Sequence, residues 1–228
     1  MTQLVDRRSP SRARPVPDIV TELPGPKARA HIAFDESVTS PSLPRAYPIV
    51  PVRGRGLMVE DIDGNLFLDF AAGIAVNSTG HSHEDVVAAI TRQAGDLLHF
   101  SASDFYLPIY AHAAALLDRI SPMKGKTRVF FGNSGAEVVE AALKLARPHT
   151  GRQSVVAFQG AFHGRTYGAM SLTGSKAKYH AGFGPVLPGV YHVPYGSAGL
   201  DELEGRIFKR LMPAKEFAAV FVEPIQGE

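Results

Sequence analysis

The 228-residue chain contains no cysteine, which excludes disulfides, thiolate metal sites and a cysteine nucleophile and fits a reducing compartment. No uninterrupted apolar run approaches the roughly 20 residues a membrane-spanning helix needs, and the N-terminus lacks the apolar core of a secretory signal. The sequence therefore reads as that of a cytoplasmic protein. Charge of one sign is also missing: 24 basic against 22 acidic residues give a formal net charge of +2. That is too little to steer the chain to nucleic acid or an anionic membrane, neither of which is expected as a partner; the calculated pI of 8.9 overstates its basicity. No Gly-Lys-Ser/Thr loop, no three-glycine dinucleotide fingerprint and no Gly-x-Ser-x-Gly elbow occurs, so nucleoside-triphosphate, dinucleotide and serine-hydrolase readings lose their signatures. Internal repeats and low-complexity tracts are absent as well.

What is present is an ordinary globular composition, 45% hydrophobic and 20% charged, enough for one good core or the start of a larger two-domain protein. Arg7, Arg8, Arg12 and Arg14 lie among Ser and Pro, and Asp6 and the prolines interrupt any amphipathic helix, so this stretch reads as a solvated arm rather than a targeting segment. Repeated prolines over 14–51 predict an extended arm. The runs 57–61 and 66–70 flank Asp63-Gly64-Asn65, which predicts an antiparallel hairpin. Ser82, with Asp85 three residues on, predicts a capped helix carrying Val86, Ile90, Ala94 and Leu97 on one face. A second helix is expected over 109–120, a strand over 127–131, and a helix over 136–147 with a Glu140–Lys144 pair, ended by Pro148. Residues 154–158 and 189–195 read as strands, 201–211 as a helix, and 217–222 as a strand buried on both faces. Strands alternating with helices predict an α/β fold with a mostly parallel sheet, helices on both faces, and ligands at the carboxyl ends of its strands.

Two segments fall at such strand ends. Gly132-Asn133-Ser134-Gly135-Ala136-Glu137 sends a strand into a helix, whose free N–H groups and positive dipole end form an anion cup that suits a phosphate. Phe162-His163-Gly164-Arg165 places an aromatic face, a ring nitrogen and a fixed cation within four residues, a set able to stack on a flat heterocycle while holding a carboxylate. Taken alone, each also reads as a plain turn with an N-cap or a surface cation; their placement on neighbouring strand ends favours a site. Glu223 and Glu228 bracket Pro224-Ile225-Gln226-Gly227 after the last strand and suit acid–base work, a metal or the gating of a cation. A metal is disfavoured because His81 and His83 have no third ligand in view.

Four strings then stand in order: Asp61-Ile62-Asp63-Gly64-Asn65-Leu66-Phe67-Leu68-Asp69-Phe70-Ala71-Ala72-Gly73-Ile74-Ala75-Val76, Asn133-Ser134-Gly135-Ala136-Glu137, Phe162-His163-Gly164-Arg165-Thr166 and Glu223-Pro224-Ile225-Gln226-Gly227-Glu228. In these the chain, from about Pro44 onward, resembles the class III pyridoxal-phosphate aminotransferases of the ornithine, acetylornithine and 4-aminobutyrate type. The resemblance implies fold type I, with an arm over 1–43, part of a small domain over 44–75 and the first part of a large cofactor-binding domain over 76–228. It implies pyridoxal 5′-phosphate as cofactor, an amino donor and a 2-oxo acid acceptor as substrates, and a homodimer. Ser134, Gly135 and Ala136 would hold the cofactor phosphate, Phe162 would stack on the pyridine ring with His163 beside it, and Glu223 would lie near that ring. Arg165 would bind a substrate carboxylate, and Glu228 would pair with a mobile arginine from later in the chain. The family's Schiff-base lysine and its pyridine-nitrogen aspartate follow the last of these strings, and none of Lys124, Lys144, Lys176, Lys178, Lys209 or Lys215 takes the lysine's place. The expectation is an N-terminal portion of an aminotransferase that is inactive alone, with racemase, aminomutase or decarboxylase chemistry, or a non-catalytic binding role, as the alternatives.

Overall fold

A computed structural model describes residues 15–43 and 45–228; Arg7, Arg8, Arg12 and Arg14 lie outside the described residues. The chain divides into two units, Met1–Phe105 and Tyr106–Glu228.

In the first unit the expected hairpin is present. β2 (Met58–Asp61) and β3 (Leu66–Leu68) pair antiparallel, and Gly64, at φ +89°, supplies the positive φ that the turn requires. β1 (Pro51–Arg55), which the sequence reading did not separate from the arm, extends the sheet to the order β1-β2-β3. The arm itself contains a helix, α1 (Pro26–Val38), where an extended chain was expected. Proline at its first position costs no hydrogen bond, and its N-terminal N–H groups are capped from outside: Asp63 accepts from Lys27 N at 2.9 Å and Ala28 N at 2.8 Å. That cap stands 36 residues away in sequence, so no local pattern announces the helix. Asn65, fully buried, fastens the preceding segment. Its Oδ1 accepts from Val20 N (2.8 Å) and Thr21 N (3.0 Å), and its Nδ2 donates to Thr21 Oγ1 (2.9 Å) and Asp61 Oδ2 (2.8 Å).

After the sheet comes α2, one turn over Ala72–Ala75 with positive φ throughout, and then α3 (Glu84–Asp96). His83, not Ser82, stands at the N-cap of α3, without a side-chain cap bond; Ser82 itself has φ +53°, since its neighbour His81 is bridged to Gly56 and the chain must turn sharply between bridge and helix.

In the second unit, α4 (Pro108–Ile120) precedes residues 127–131, which form no strand. A β-rich run becomes a strand only when a ladder partner is at hand, and none among the described residues pairs with it. α5 (Gly135–Thr150) runs through Pro148 instead of stopping before it: a proline in the last turn removes one bond near an end that is already fraying, and Gly151, at φ +69°, closes the helix. β4 (Ser154–Phe158) is buried at every residue and lies between β5 (Val190–Val193) and β6 (Phe217–Val220), all parallel. Val155 and Ala157 face Leu143 of α5 and Leu172 of α6 (Tyr167–Leu172). Val156 and Phe158 face Leu203 and Ile207, in the π-helical turn Leu203–Leu211 that continues α7 (Ser197–Glu202). Helices thus cover both faces of a parallel sheet, as the alternation predicted. The strand buried on both faces is β4 rather than the expected 217–222: β6 pairs with β4 alone among the described residues, and Val220 and Val222 are exposed. Among the described residues no helix is long and apolar enough to cross a membrane.

Two outcomes are expected. Asn65→Ala leaves two arm N–H groups and a carboxylate oxygen of Asp61 without partners, and the first unit should lose about 3 kcal/mol, read as a lower urea midpoint by circular dichroism. His192, on β5, donates from Nε2 to Leu172 O at 3.2 Å, and burial pushes its pKa below the ordinary 6.5. The unfolded chain therefore binds this proton more readily, so the stabilisation is complete above pH 6.5 and is lost as pH falls below it. Urea midpoints measured between pH 7 and 5 should fall, and His192→Gln should flatten the slope.

Candidate functional site

The loops that follow the three parallel strands meet at their carboxyl ends. Gln226, after β6, donates to Gln159 O after β4 (2.9 Å), and the Tyr195 hydroxyl, after β5, reaches the carbonyls of Glu223 (3.0 Å) and Pro224 (2.9 Å). This is where parallel sheets place their ligands.

Ser134 is the N-cap of α5, accepting from Glu137 N at 3.2 Å, while Glu137 Oε2 takes Asn133 N at 2.6 Å. Gly135 and Ala136 are the first helical residues, so their N–H groups have no acceptor within the helix. The space where a side chain of Gly135 would stand is open. An anion approaching this end meets two backbone donors, the Ser134 hydroxyl hydrogen and the positive end of a 16-residue helix.

The Phe162–Thr166 loop is fastened directly onto that helix end. Gly164 has φ +136°, and a Cβ there would lie 2.8 Å from Ala136 Cβ and 2.9 Å from Ala169 Cβ; only glycine allows both the backbone angle and the approach. Glu140 Oε1 accepts from Thr166 Oγ1 (2.6 Å), Gly168 N (2.9 Å) and Ala169 N (3.1 Å). Glu140 therefore ties α5 to the start of α6 and makes no pair with Lys144, contrary to the helix-surface reading. Gly168 is the other half of this joint, because a Cβ there would sit 2.1 Å from Glu140 Oε2.

Phe162 packs edge-on against Tyr179 at 5.3 Å, with the Arg165 guanidinium 6.0 Å from its ring centroid. Its N–H points to Glu223 Oε1 at 3.4 Å. His163 is held through its backbone N–H by Thr173 Oγ1 (3.0 Å), and its ring lies against Phe221. Burial lowers the His163 pKa, with Glu223 opposing the shift, so the imidazole is neutral near pH 7. His163 Nε2 and Glu223 Oε2 are both buried without a hydrogen-bond partner. Two unmet polar atoms beside an anion cup and an aromatic ring fit a polar heterocycle carrying a phosphate.

The residues singled out in the sequence are thus brought together: Ser134, Gly135 and Ala136 at one helix end, Phe162, His163 and Arg165 on the loop packed over it, and Glu223 beneath Phe162. Glu228 stands at the margin, in an ion pair with Lys176 that lowers its pKa and raises that of the lysine. The sequence reading missed Glu140, Thr173, Tyr179, Tyr195 and Gln226. Thr173 Oγ1 is within bonding distance of Gly164 O (3.2 Å) and Ala169 O (3.1 Å) as well as His163 N. Of these five, only Gln226 lay inside a motif string.

A model of the family described as Aminotransferase class-III matches residues 41–228. The chain is 36% identical over 232 residues to an alanine/serine racemase of Pyrococcus horikoshii, covering 93% of this chain and 49% of that protein. It is 44% identical over 182 residues to an acetylornithine aminotransferase of Methanothermobacter thermautotrophicus, covering 79% and 43%. The fold matches the ornithine aminotransferase of Toxoplasma gondii, whose active site holds PLP at partial occupancy, with a TM-score of 0.74 and 30% identity over 87% of this chain and 46% of that one. The chain spans about half the length of the curated relatives it matches. The fold is therefore the fold type I expected, and with the family match running through most of its sequence the chain belongs to the class-III aminotransferases.

Proposed function

We propose that the protein to which this chain belongs is a pyridoxal-phosphate-dependent aminotransferase. It moves an amino group from ornithine, acetylornithine or another ω-amino acid such as 4-aminobutyrate to 2-oxoglutarate, as a cytoplasmic homodimer. Residues 44–75 belong to its small domain and 76–228 to its large cofactor-binding domain in this reading. The observation that carries the proposal is the approach of Gly164 to Ala136, which sets an anion cup and an aromatic–cation loop side by side. Pyridoxal phosphate is the cofactor of the family and fits both parts; when bound it supplies the electron sink through which an amino group changes carriers.

In this reading each residue takes a role that its geometry supports. The N–H groups of Gly135 and Ala136 and the Ser134 hydroxyl hold the phosphate. Phe162, kept in place by Tyr179 and by its N–H to Glu223, gives the pyridine ring a flat wall. His163 and Glu223 each keep one buried polar atom free on the same side of the fold, positioned to fix the ring's polar edge. Arg165, exposed on the loop with its guanidinium 6.0 Å from the Phe162 ring centroid, offers a fork for a substrate carboxylate. Glu228, paired with Lys176, gates the entry of a second carboxylate.

One observation favours a second reading. The match to an alanine/serine racemase covers 93% of this chain, and a racemase would use the same phosphate cup and ring wall with no need for an acceptor.

The test is to supply the full-length protein with pyridoxal phosphate and to assay glutamate formation from 2-oxoglutarate with ornithine, acetylornithine or 4-aminobutyrate, alongside inversion of L-alanine and L-serine by chiral chromatography. Donor-dependent glutamate formation is expected. Inversion without glutamate would transfer the assignment to racemisation. In the aminotransferase, Arg165→Ala should raise KM for the amino donor about 100-fold while cofactor is retained through gel filtration. Phe162→Ala should weaken cofactor retention about 10-fold, the loss of roughly one ring-on-ring contact.

A further inference from the structure

The turn α2 carries a strain that its surroundings must hold. Ala72, Gly73, Ile74 and Ala75 have φ of +47°, +63°, +63° and +61°, so one full turn is left-handed and three of its four residues carry a Cβ. Such residues cost roughly 1–2 kcal/mol each against the right-handed form, and they persist only where neighbouring structure over-determines them. Among the described residues apolar packing contributes little of it: Ile74 is 91% exposed, and the flanking Phe70 and Val76 are 93% and 82% exposed.

Three polar side chains supply it. Asp69 Oδ1 accepts from Ala71 N (2.8 Å) and Ala72 N (2.9 Å), which sets the entry to the turn. Asp69 Oδ2 lies 2.7 Å from His81 Nε2, and the amide nitrogen of Asn77 lies 2.9 Å from His81 Nδ1, so one imidazole joins the residue before the turn to a residue after it. A carboxylate accepts only, and an amide nitrogen donates only, so the ring that satisfies both is the neutral one with its proton on Nε2. His81 is itself anchored to the sheet side of the unit: its N–H donates to Gly56 O (2.8 Å) and its carbonyl accepts from Gly56 N (2.9 Å). The ring fits there because residue 54 is glycine, where a Cβ would lie 2.7 Å from His81 Cγ. Within the turn, the amides of Ala75, Val76 and Asn77 donate back to Ala71 O and Ala72 O.

We propose that Asp69, His81 and Asn77 form a latch, and that α2 is a strap with two states: left-handed while the latch is closed, and relaxed to right-handed backbone when the Asp69–His81 bond opens. The imidazole bridge clamps both ends of the turn to a fixed point on the sheet, and the exposed tip at Ile74 moves when that bridge is lost. His81 and Asp69 are positioning residues in this device.

Amide hydrogen exchange on the full chain tests it. In His81→Ala and in Asp69→Asn, the amides of Ala75, Val76 and Asn77 should exchange at least about 10-fold faster, while those of Asp61 and Leu66 in the hairpin stay within about 2-fold of the parent. In the His81→Ala background, replacing Ala72 and Ala75 by glycine removes the steric cost of positive φ and should recover at least about 3-fold of the lost protection. Unchanged exchange at 75–77 in both latch variants overturns the proposal. So does acceleration spread equally over the whole sheet, which would make His81 a general stabiliser, and so does a failure of the glycines to recover protection, which would remove strain from the account.

Discussion

One carboxylate oxygen does most to shape the site. Glu140 Oε1 collects a hydroxyl and two backbone N–H groups from the first turn of α6, and in doing so it binds the loop after β4 to the flank of α5. Without that joint, the 162–166 loop would be a surface connection free to wander, and the end of α5 would be an ordinary helix terminus. With it, Gly164 is pressed against Ala136, and the aromatic and cationic groups take a fixed position over the anion cup. Glu140 is half-buried, and the cost of drawing its carboxylate partly out of water is offset by three donors on a single atom.

The electrostatics of the site follow from the same packing. His163 is neutral because burial outweighs the pull of Glu223, so the ring offers a donor or an acceptor at Nε2 rather than a charge. Glu223 uses one oxygen on Phe162 N–H and keeps the other in reserve. One oxygen and one ring nitrogen are thus buried without partners, an arrangement that would suit a ligand whose edge carries complementary polar atoms. The exposed ion pair of Lys176 and Glu228 is a different kind of object: water screens it, and it opens at little cost.

The parts of this arrangement that could be read in the sequence are those written in contiguous residues. Ser134-Gly135-Ala136 and Phe162-His163-Gly164-Arg165 each hold their chemistry within a few positions, and the parallel sheet follows from alternating strands and helices. What escaped reading depends on distant partners. Glu140 looks like a helix-surface acid because Lys144 lies one turn on, and only the fold reveals Thr166 and Gly168 as its partners. Helix α1 looks like proline-rich arm because its cap is Asp63. Residues 127–131 have strand composition and no ladder. The reading that Pro148 ends the helix at 147 stops it three residues too soon, since the last turn tolerates the missing N–H.

The attachment of the N-terminal segment has a kinetic meaning. Asn65 and Asp63 grip residues 45 and 36 positions earlier in the chain, whereas the hairpin that carries them closes over a few residues. Loop-closure entropy orders these events: the hairpin must form before there is anything for residues 20–28 to dock on. In equilibrium fluctuations the sequence runs in reverse, so the segment around Thr21 and α1 is the first to peel away, leaving Asn65 to water while the strands behind it remain paired.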